Sequence, residues 1–574
     1  MALLYGVTAW LLMQVADVVI GLAALPEWFG QGLLGILAIG FPIALAFAWV
    51  YELTPEGIKL EKDVDRSSSI TELTGRRMDF VVIAVLAAAV ILFAWDKWWL
   101  GTSGGFRPPP NSIAVLAFAN ISPDPGQEYF SDGISEELLG LLARMPELQV
   151  TSRRSAFSFK GKDVKLSEVA RELNVAHILE GSIRRAGDRI RITAQLIDTH
   201  SDTHLWSETF DRTLDDIFVI QDEIAAVVVD KLKVTLLGSA PTVRETDPEA
   251  YALYLRARYL SRQGTPEGWE QAIDLFKQVL ALDPVYAAAW AGLSHVYTRQ
   301  SDNSLRPVDE GYTLARGAAM QAIMLDPAHA PAHARLGWIA SHHDGDLAAA
   351  ARHYERALDL APTDTGIIFS AASLAESLGR LEQAIELEEY AVVRDPLDPV
   401  ARNNQGDSYL SAGRFEEAID AFRTALSLSP GYIGAHYRIG VGLLLQGEAE
   451  AALASMREEG FRAWRLIGLA MANHALDQTA ESDAALAELI DRYDQDAAYN
   501  IAYVFAFRDE ADTAFEWLAK AVVYNDPGLA EIANEPLFDN IRSDPRWLPF
   551  LERVGKSPAQ LAAIDFEVRL PEPR

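Results

Sequence analysis

No cysteine occurs in the 574 residues, which removes disulfides, thiolate zinc sites, iron–sulfur clusters and cysteine nucleophiles at once. The compartment stays open, because a chain without thiols suits an oxidising environment and many reducing ones as well. Positive charge is scarce: 50 Lys and Arg stand against 81 Asp and Glu, a net of −31. Residues 1–104 contribute −4, residues 105–237 contribute −5 and residues 238–574 the remaining −22. So acidic a carboxy-terminal part repels phosphate backbones, and no nucleic-acid partner is expected. The same acidity keeps a long chain soluble. Catalytic signatures are missing too. Gly161-Lys162-Asp163 lacks the upstream glycines and the hydroxyl of a phosphate-cradling loop, and there is no His-Glu-x-x-His. Ser152 and Ser155 stand beside Arg153 and Arg154 without a His-Asp pair that spacing identifies. His329 and His333 lie four apart, with His342, His343 and His353 nearby, a spacing that permits a metal site. No carboxylate is set beside them by motif, and a solvated helix face accounts for them; His200 and His204 flank a turn, where structural hydrogen bonding outweighs a ligand role. No catalytic residue, metal or cofactor is expected, and the chain reads as a non-enzyme.

Length alone, at ~100 to 200 residues per domain, asks for three or four folding regions. The carboxy-terminal half declares itself by repetition. A proline closes each unit at Pro284, Pro327, Pro362, Pro396 and Pro430, and the last three intervals are 35, 34 and 34 residues. Read backwards from Pro430, one unit holds Gly406, Tyr409, Gly413, Ala418, Phe422, Ala425 and Leu428. Small residues fall where two helices must approach, Phe422 fills the groove beside them, and Pro430 ends the second helix because it cannot donate the next backbone bond. Gly337, Gly345, Ala350, Tyr354 and Pro362 keep that skeleton in one neighbour, Ala372, Gly379, Ala384 and Pro396 in the next. The pattern resembles the tetratricopeptide (TPR) repeat, a helix pair of 34 residues. It predicts an all-α solenoid of about eight units over residues 246–527, then a cap and tail at 528–574. The unit ending at Pro327 is 43 residues long, and the polar run 300–307 is expected to carry most of the excess as a longer inter-helix loop.

Three apolar stretches, about 2–24, 29–51 and 79–100, predict transmembrane helices within a membrane region at 1–100, since ~20 apolar residues span a bilayer. Asp17 in the first would be costly against lipid and is expected to face another helix, a partner or interfacial water. Gly40, Ala44 and Ala48, spaced by four, form a smooth stripe that suits self-association through these helices. A cleaved signal peptide is the competing reading of the first stretch; Met1–Tyr5 has no basic group and no small-residue cleavage site precedes Pro26. The loop 52–78 carries Lys59, Lys62, Arg66, Arg76 and Arg77, whereas the turn before Phe29 carries none. That bias places the loop and the amino terminus in the cytoplasm and everything after Trp99 outside it. The expectation is a multi-pass bacterial inner-membrane protein with periplasmic carboxy-terminal domains.

A flexible then stiff linker, 101–111, leads into an α/β region at 112–237. Ile113 to Phe118 is an uninterrupted apolar run, the mark of a strand buried on both faces. Residues 131–145 read as a helix with Ile134, Leu138, Leu141 and Leu142 on one face, and 148–159 as a second strand. A helix at 166–173 and a strand at 177–183 follow. The chain then reverses over 184–189 into the alternation of Ile190, Ile192, Ala194 and Leu196. A strand at 205–211 and a helix at 216–233 complete the region. Ser112-Ile-Ala-Val-Leu-Ala-Phe, Glu128-Tyr-Phe-Ser-Asp-Gly-Ile-Ser-Glu-Glu-Leu, His177-Ile-Leu-Glu-Gly-Ser-Ile-Arg-Arg and Leu205-Trp-Ser-Glu-Thr-Phe-Asp-Arg resemble the TolB amino-terminal-like domain. The resemblance implies a bacterial membrane-anchored group in which this domain stands beside TPR arrays. Relatives of that kind include TPR-containing adenylate cyclases and winged-helix regulators, with the cyclase or winged-helix module ahead of the membrane segment. Only Met1 precedes the first apolar run here, so neither activity is expected of this chain unless the start lies upstream.

Helical repeat arrays bind peptides or helices along the face made by the first helix of each unit. By the repeat frame, Arg335, Trp338, Phe369, Glu376, Asn403, Asp407 and Tyr437 lie on that face, and their mixture of aromatic, amide and charge suits a protein or peptide partner. Inter-repeat packing is the competing reading of each. Asn403 and Asn404 are similar to the asparagines of carboxylate-clamping TPR proteins, but the accompanying lysines are missing. The expected function is a membrane-anchored interaction scaffold or sensor for a partner in the cell envelope. The alternative is a non-catalytic component of a cyclase-like nucleotide-signalling or transcription-regulating system.

Overall fold

The computed structural model describes residues 51–54, 57–60, 108–145, 147–232, 246–303, 305–524 and 526–571. The chain forms two compact units, Met1–Arg107 and Pro108–Arg574. In the first, strands β1 (Tyr51–Thr54) and β2 (Gly57–Leu60) pair antiparallel, with Tyr51 opposite Leu60 and Glu52 opposite Lys59.

Two expectations are corrected here. Among the described residues no helix is long and apolar enough to cross a membrane, so the fold class of those residues is a small sheet domain with a helical solenoid, and the three expected transmembrane helices are not among them. The stretches 2–24, 29–50 and 79–100 lie outside the described residues, and Tyr51, expected to end the second span, is in a strand. The inner-membrane, multi-pass location that depended on those spans is withdrawn with them. Counting apolar and basic residues overlooked the period-two alternation of Leu53 with Glu52 and Thr54, and of Ile58 and Leu60 with Lys59, which two paired strands require.

The second unit begins with a mixed sheet. Strands β3 (Ser112–Val115), β4 (Ala119–Asn120), β5 (Gln149–Val150), β6 (His177–Ala186), β7 (Arg189–Asp198) and β8 (Thr203–Thr213) run in the order β5-β3-β6-β7-β8, with β4 also on β6. The pairs around β3 and β4 are parallel, and β6, β7 and β8 form an antiparallel meander. Ile113, Ala114 and Val115 are fully buried, as a central parallel strand requires. The β6–β7 reversal is a two-residue turn, Gly187-Asp188, in which Gly187 takes φ 63. Helices α1 (Glu128–Ala143), α2 (Arg153–Phe157), α3 (Leu166–Leu173) and α4 (Ile217–Lys231) complete the domain. The strand expected over 148–159 shrinks to β5, because the Ser152 hydroxyl accepts from the Ser155 amide and starts α2 instead.

Eight helix pairs follow among the described residues: α5 (Pro248–Arg262) with α6 (Pro266–Leu282), α7 (Ala287–Asp302) with α8 (Val308–Leu325), α9 (Ala330–Ile339) with α10 (Leu347–Leu360), α11 (Thr365–Ser377) with α12 (Leu381–Arg394), α13 (Pro399–Ser411) with α14 (Phe415–Leu428), α15 (Ala435–Leu445) with α16 (Ala449–Glu458), α17 (Arg462–Ala475) with α18 (Thr479–Tyr493), and α19 (Ala498–Phe507) with α20 (Ala511–Tyr524). Gly345, Gly379, Gly413 and Gly447, each 34 residues apart, all take positive φ where a first helix ends. Behind three of them the amides of Arg380, Arg414 and Glu448 return to the carbonyls of Ala375, Tyr409 and Leu443, the hydrogen bond that closes a helix on a left-handed residue. Asp477 and Asp509 do the same work in the last two pairs. The inter-helix contact is equally regular. A Cβ on Gly406 would stand 2.4 Å from the Phe422 ring, one on Gly337 2.9 Å from Tyr354, and one on Gly440 2.5 Å from Met456.

The long unit departs from expectation. Helices α7 and α8 have 16 and 18 residues against 13 and 14 in α13 and α14, so seven of its nine extra residues lengthen helices. Polar residues that read as loop are helical because the Gln300 side chain, 1% exposed, donates to Glu270 at 2.6 Å and accepts from Arg306 at 3.0 Å. Beyond α20, two short 3-10 turns lead to α21 (Trp547–Arg553) and α22 (Pro558–Ala562). Phe538 packs against Tyr499, Tyr503 and Trp547. The tail then runs back: Arg380 donates to the Ile564 and Phe566 carbonyls, the Glu567 amide to Glu355 at 2.9 Å, and Asn534 to the Glu376 carbonyl at 2.6 Å.

Candidate functional site

Helix α1 is buried on two sides. Phe130, Ile134, Leu138, Leu141 and Leu142 face the sheet core, yet Ser131, Asp132, Ser135 and Glu136 are buried as well. The polar side lies against α5, the first helix of the solenoid. Gly133 lets the two helices approach closely, since a Cβ there would stand 2.8 Å from the Leu255 side chain. Around that point Arg258 pairs with both Glu136 and Glu137, Arg262 pairs with Glu136, and Arg153 reaches Glu136 at 3.3 Å. Gln221 of α4 donates to the Tyr251 hydroxyl at 3.0 Å. A second contact lies four helix pairs along the array. The Ser152 amide donates to the Arg394 carbonyl at 2.9 Å, the Ser155 hydroxyl meets Asp395 at 2.5 Å, Arg154 pairs with Asp398 at 3.1 Å, and Thr363 donates to the Ala143 carbonyl at 2.6 Å. The sheet domain is thus pinned to the solenoid at both ends of α1, and a cleft of about 1170 Å³ remains between them.

The seven residues that the repeat frame places on the first-helix face fall on α9, α11, α13 and α15. Arg335 is half-buried and donates to His295 Nδ1 at 2.7 Å. Trp338 stacks on His342, ring centroids 3.6 Å apart, and Phe369 is half-buried beside the α10–α12 core. Glu376 accepts from Ser411 at 3.0 Å. Asn403 donates to Asp407 at 3.0 Å, and Arg438 reaches the other Asp407 oxygen at 2.5 Å. Tyr437 is buried, its hydroxyl 2.7 Å from that of Tyr503 and its ring 4.9 Å from Trp464. Arg335 alone of the seven lines the cleft. The other six form a ladder along the later pairs, where Asn403 and Tyr437 are enclosed by the chain's own contacts. The histidines are engaged separately: His329 caps α9 through Nδ1, His343 stacks on Tyr312 at 4.4 Å, and the His333 and His353 rings lie 5.9 Å apart. Among the described residues no group of three His, Asp or Glu is arranged to hold a metal ion.

Sequence reading passed over the docking residues Arg258 and Arg262 and gave Glu136 and Glu137 no partner. Their one linear signal is an i, i+4 arginine pair on α5 and an acidic dipeptide on α1, which charge counting treats as solvated faces.

Residues 369–433 and 403–465 match the tetratricopeptide repeat family profile. Over 240 residues the chain is 41% identical to a protein named putative adenylate cyclase 3 from Rhizobium meliloti (strain 1021), an alignment covering 40% of this chain. A 78-residue stretch is 33% identical to a tetratricopeptide repeat and J domain-containing co-chaperone of Fusarium oxysporum f. sp. lycopersici, covering 14% of this chain. The chain spans 41% and 15% of these two relatives' own lengths. Among solved structures, pilF of Pseudomonas aeruginosa is similar at 18% identity and a TM-score of 0.30, covering 37% of this chain and 93% of that one. A human IFIT1 dimer with m7Gppp-AAAA is similar at 15% identity and a TM-score of 0.33, covering 54% of this chain and 80% of that one.

Two acids stand apart, Glu388 on α12 and Glu535 in the turns beyond α20. Glu388 is 2% exposed, its Oε2 has no hydrogen-bond partner among the described residues, and burial pushes its carboxyl up to about 8. Glu535 accepts from the Leu537 amide at 3.1 Å, yet burial, with Glu531 and Asp407 nearby, pushes it up to about 7. Both folded values lie above the ordinary carboxylate range, so the folded state holds protons the unfolded chain has released from about pH 4.5 to 8, and stability falls as pH rises through that window. His329 acts in the opposite sense: burial lowers its ring to about 4, and its contribution is lost as pH falls from about 6.5 toward that value. Above about pH 6.5 His329 is neutral in both states and only the two carboxyls act, so the melting temperature should decline from there toward about pH 8.5. In Glu388→Gln the alkaline decline should shrink by on the order of 1–3 kcal/mol. A wild-type melting temperature that stays flat across the alkaline half would contradict this assignment.

Proposed function

We propose that the chain is a protein-interaction scaffold that engages its partner on the first-helix face of the tetratricopeptide array. The observation that carries this reading is the run of stacked helix pairs whose α9 and α11 present half-buried Trp338 and Phe369 beside charged groups. Stacked repeats generate extended surfaces, and partly exposed aromatics on them are the side chains that anchor partners. Repeat arrays of this kind are generally non-catalytic.

A photo-crosslinking residue at Phe369 should capture one defined protein in cells, while the same residue at Met324, 69% exposed on the second helix of its pair, should not. Equal capture from both positions, or none from Phe369, would sink the scaffold reading. The relative named as a putative adenylate cyclase favours a second reading, in which the chain is the non-catalytic part of a nucleotide-signalling system. Cyclic nucleotide formed from ATP or GTP by the purified chain alone would replace both readings with an enzymatic one.

A further inference from the structure

We propose that the cleft between α1 and the amino-terminal ends of α7, α9 and α11 binds a small polyanion bearing phosphate or carboxylate groups, held by the guanidinium groups of Arg335 and Arg144. The cleft, about 1170 Å³, is ample for such a ligand. Its wall carries five arginines against four carboxylates, in a chain whose net charge is −31. Arg153, Arg258 and Arg262 share two carboxylates, Glu136 and Glu137, which leaves that group one positive charge in excess. Asp326 and Asp364, the other acids of the wall, accept from the backbone amides of Ala328 and Ile367.

Arg335 has no carboxylate within ion-pair distance among the described residues. Its hydrogen bond goes to His295 Nδ1, so that nitrogen must be an unprotonated acceptor. Asp302, the carboxylate in its field, is already engaged by the Tyr312 hydroxyl at 2.6 Å and by Arg299. A guanidinium bonded to a neutral ring in a cleft retains unused donors, and bidentate oxyanions are what those donors fit. Arg144 stands exposed at the end of α1 without an ion-pair partner among the described residues. The first residues of α7, α9 and α11 line the same cleft and bring positive dipole ends to it. Burial and the neighbouring Arg335, Arg299 and Arg262 lower the His295 ring, so the pocket disfavours a further cation and favours a counter-charge.

Calorimetric titration of the full chain with tripolyphosphate and, separately, with citrate tests the proposal. Saturable binding of at least one probe is expected, falling roughly tenfold or more in Arg335→Gln or Arg144→Gln. The control Arg423→Gln, on α14, should bind as the parent does. Binding of tripolyphosphate alone identifies a phosphate ligand, and binding of citrate alone a carboxylate. Circular dichroism identifies which variants remain folded, and if one unfolds the other decides. No saturable binding of either probe at millimolar concentration, or unchanged affinity in every folded arginine variant, would overturn the proposal.

Discussion

Glu136→Ala is expected to destabilise the second unit by about 2–4 kcal/mol, the range for a buried ion pair broken from one side, reduced because its partners are partly solvated. One carboxylate, 8% exposed, answers Arg153, Arg258 and Arg262, whose side chains are only 22–33% exposed. Its removal leaves Glu137 as the remaining acid of the cluster. Arg262→Gln should cost less, since Glu136 then keeps two partners. Urea unfolding measures both, and limited proteolysis supplies the spatial readout. If α1 docks the sheet domain on the solenoid, cleavage near residues 144–152 should accelerate in Glu136→Ala before the helix pairs melt. Equal stability of Glu136→Ala and the parent chain would show that the pairing contributes nothing net.

Phe422→Ala should cost about 3–5 kcal/mol, the usual loss for a fully buried phenylalanine. Phe422 is 0% exposed, and its ring fills the space that Gly406 leaves on α13. The effect should also be non-local. Each pair of a solenoid is stabilised chiefly by its neighbours, so a weak pair in the middle separates the array into two cooperative segments. Denaturant unfolding is expected to change from one transition to two, with hydrogen exchange rising first in α13–α16. Phe461→Ala, at a ring 45% exposed, should stay within about 0.5 kcal/mol. A single sharp transition in Phe422→Ala would mean that contacts of the returning tail, such as Arg380 with the Phe566 carbonyl, hold the array together as one unit.

The repeat was legible because its requirements are local. A left-handed residue after each first helix and a small residue facing a large one recur within a single unit, so Gly345, Gly379, Gly413 and Gly447 announce themselves in a linear string. Helix α3 was legible to the residue for the same reason: Val169, Ala170 and Leu173 set one buried face, and Asn174 ends the helix in the left-handed region. The long unit misled because polar side chains read as loop until Glu270 and Arg306, both outside the run or at its end, give Gln300 its partners. The reading of Tyr51 as the end of an apolar span failed for a related reason. Hydropathy and charge counts are blind to strand pairing, and Tyr51 to Leu60 pairs.

What the amino-acid order determined by itself is the helix-pair period, the alternating strands β6 and β7, the acidic balance and the absence of thiol chemistry, all set by near-neighbour sterics and composition. Only the tertiary structure decided that the sheet domain lies against the solenoid. Arg258 with Glu136, Thr363 with the Ala143 carbonyl and Arg154 with Asp398 are separated by 122, 220 and 244 residues. No periodicity links such pairs. They form because burying polar groups is costly unless each meets a partner, and that choice is made when the two surfaces close on one another.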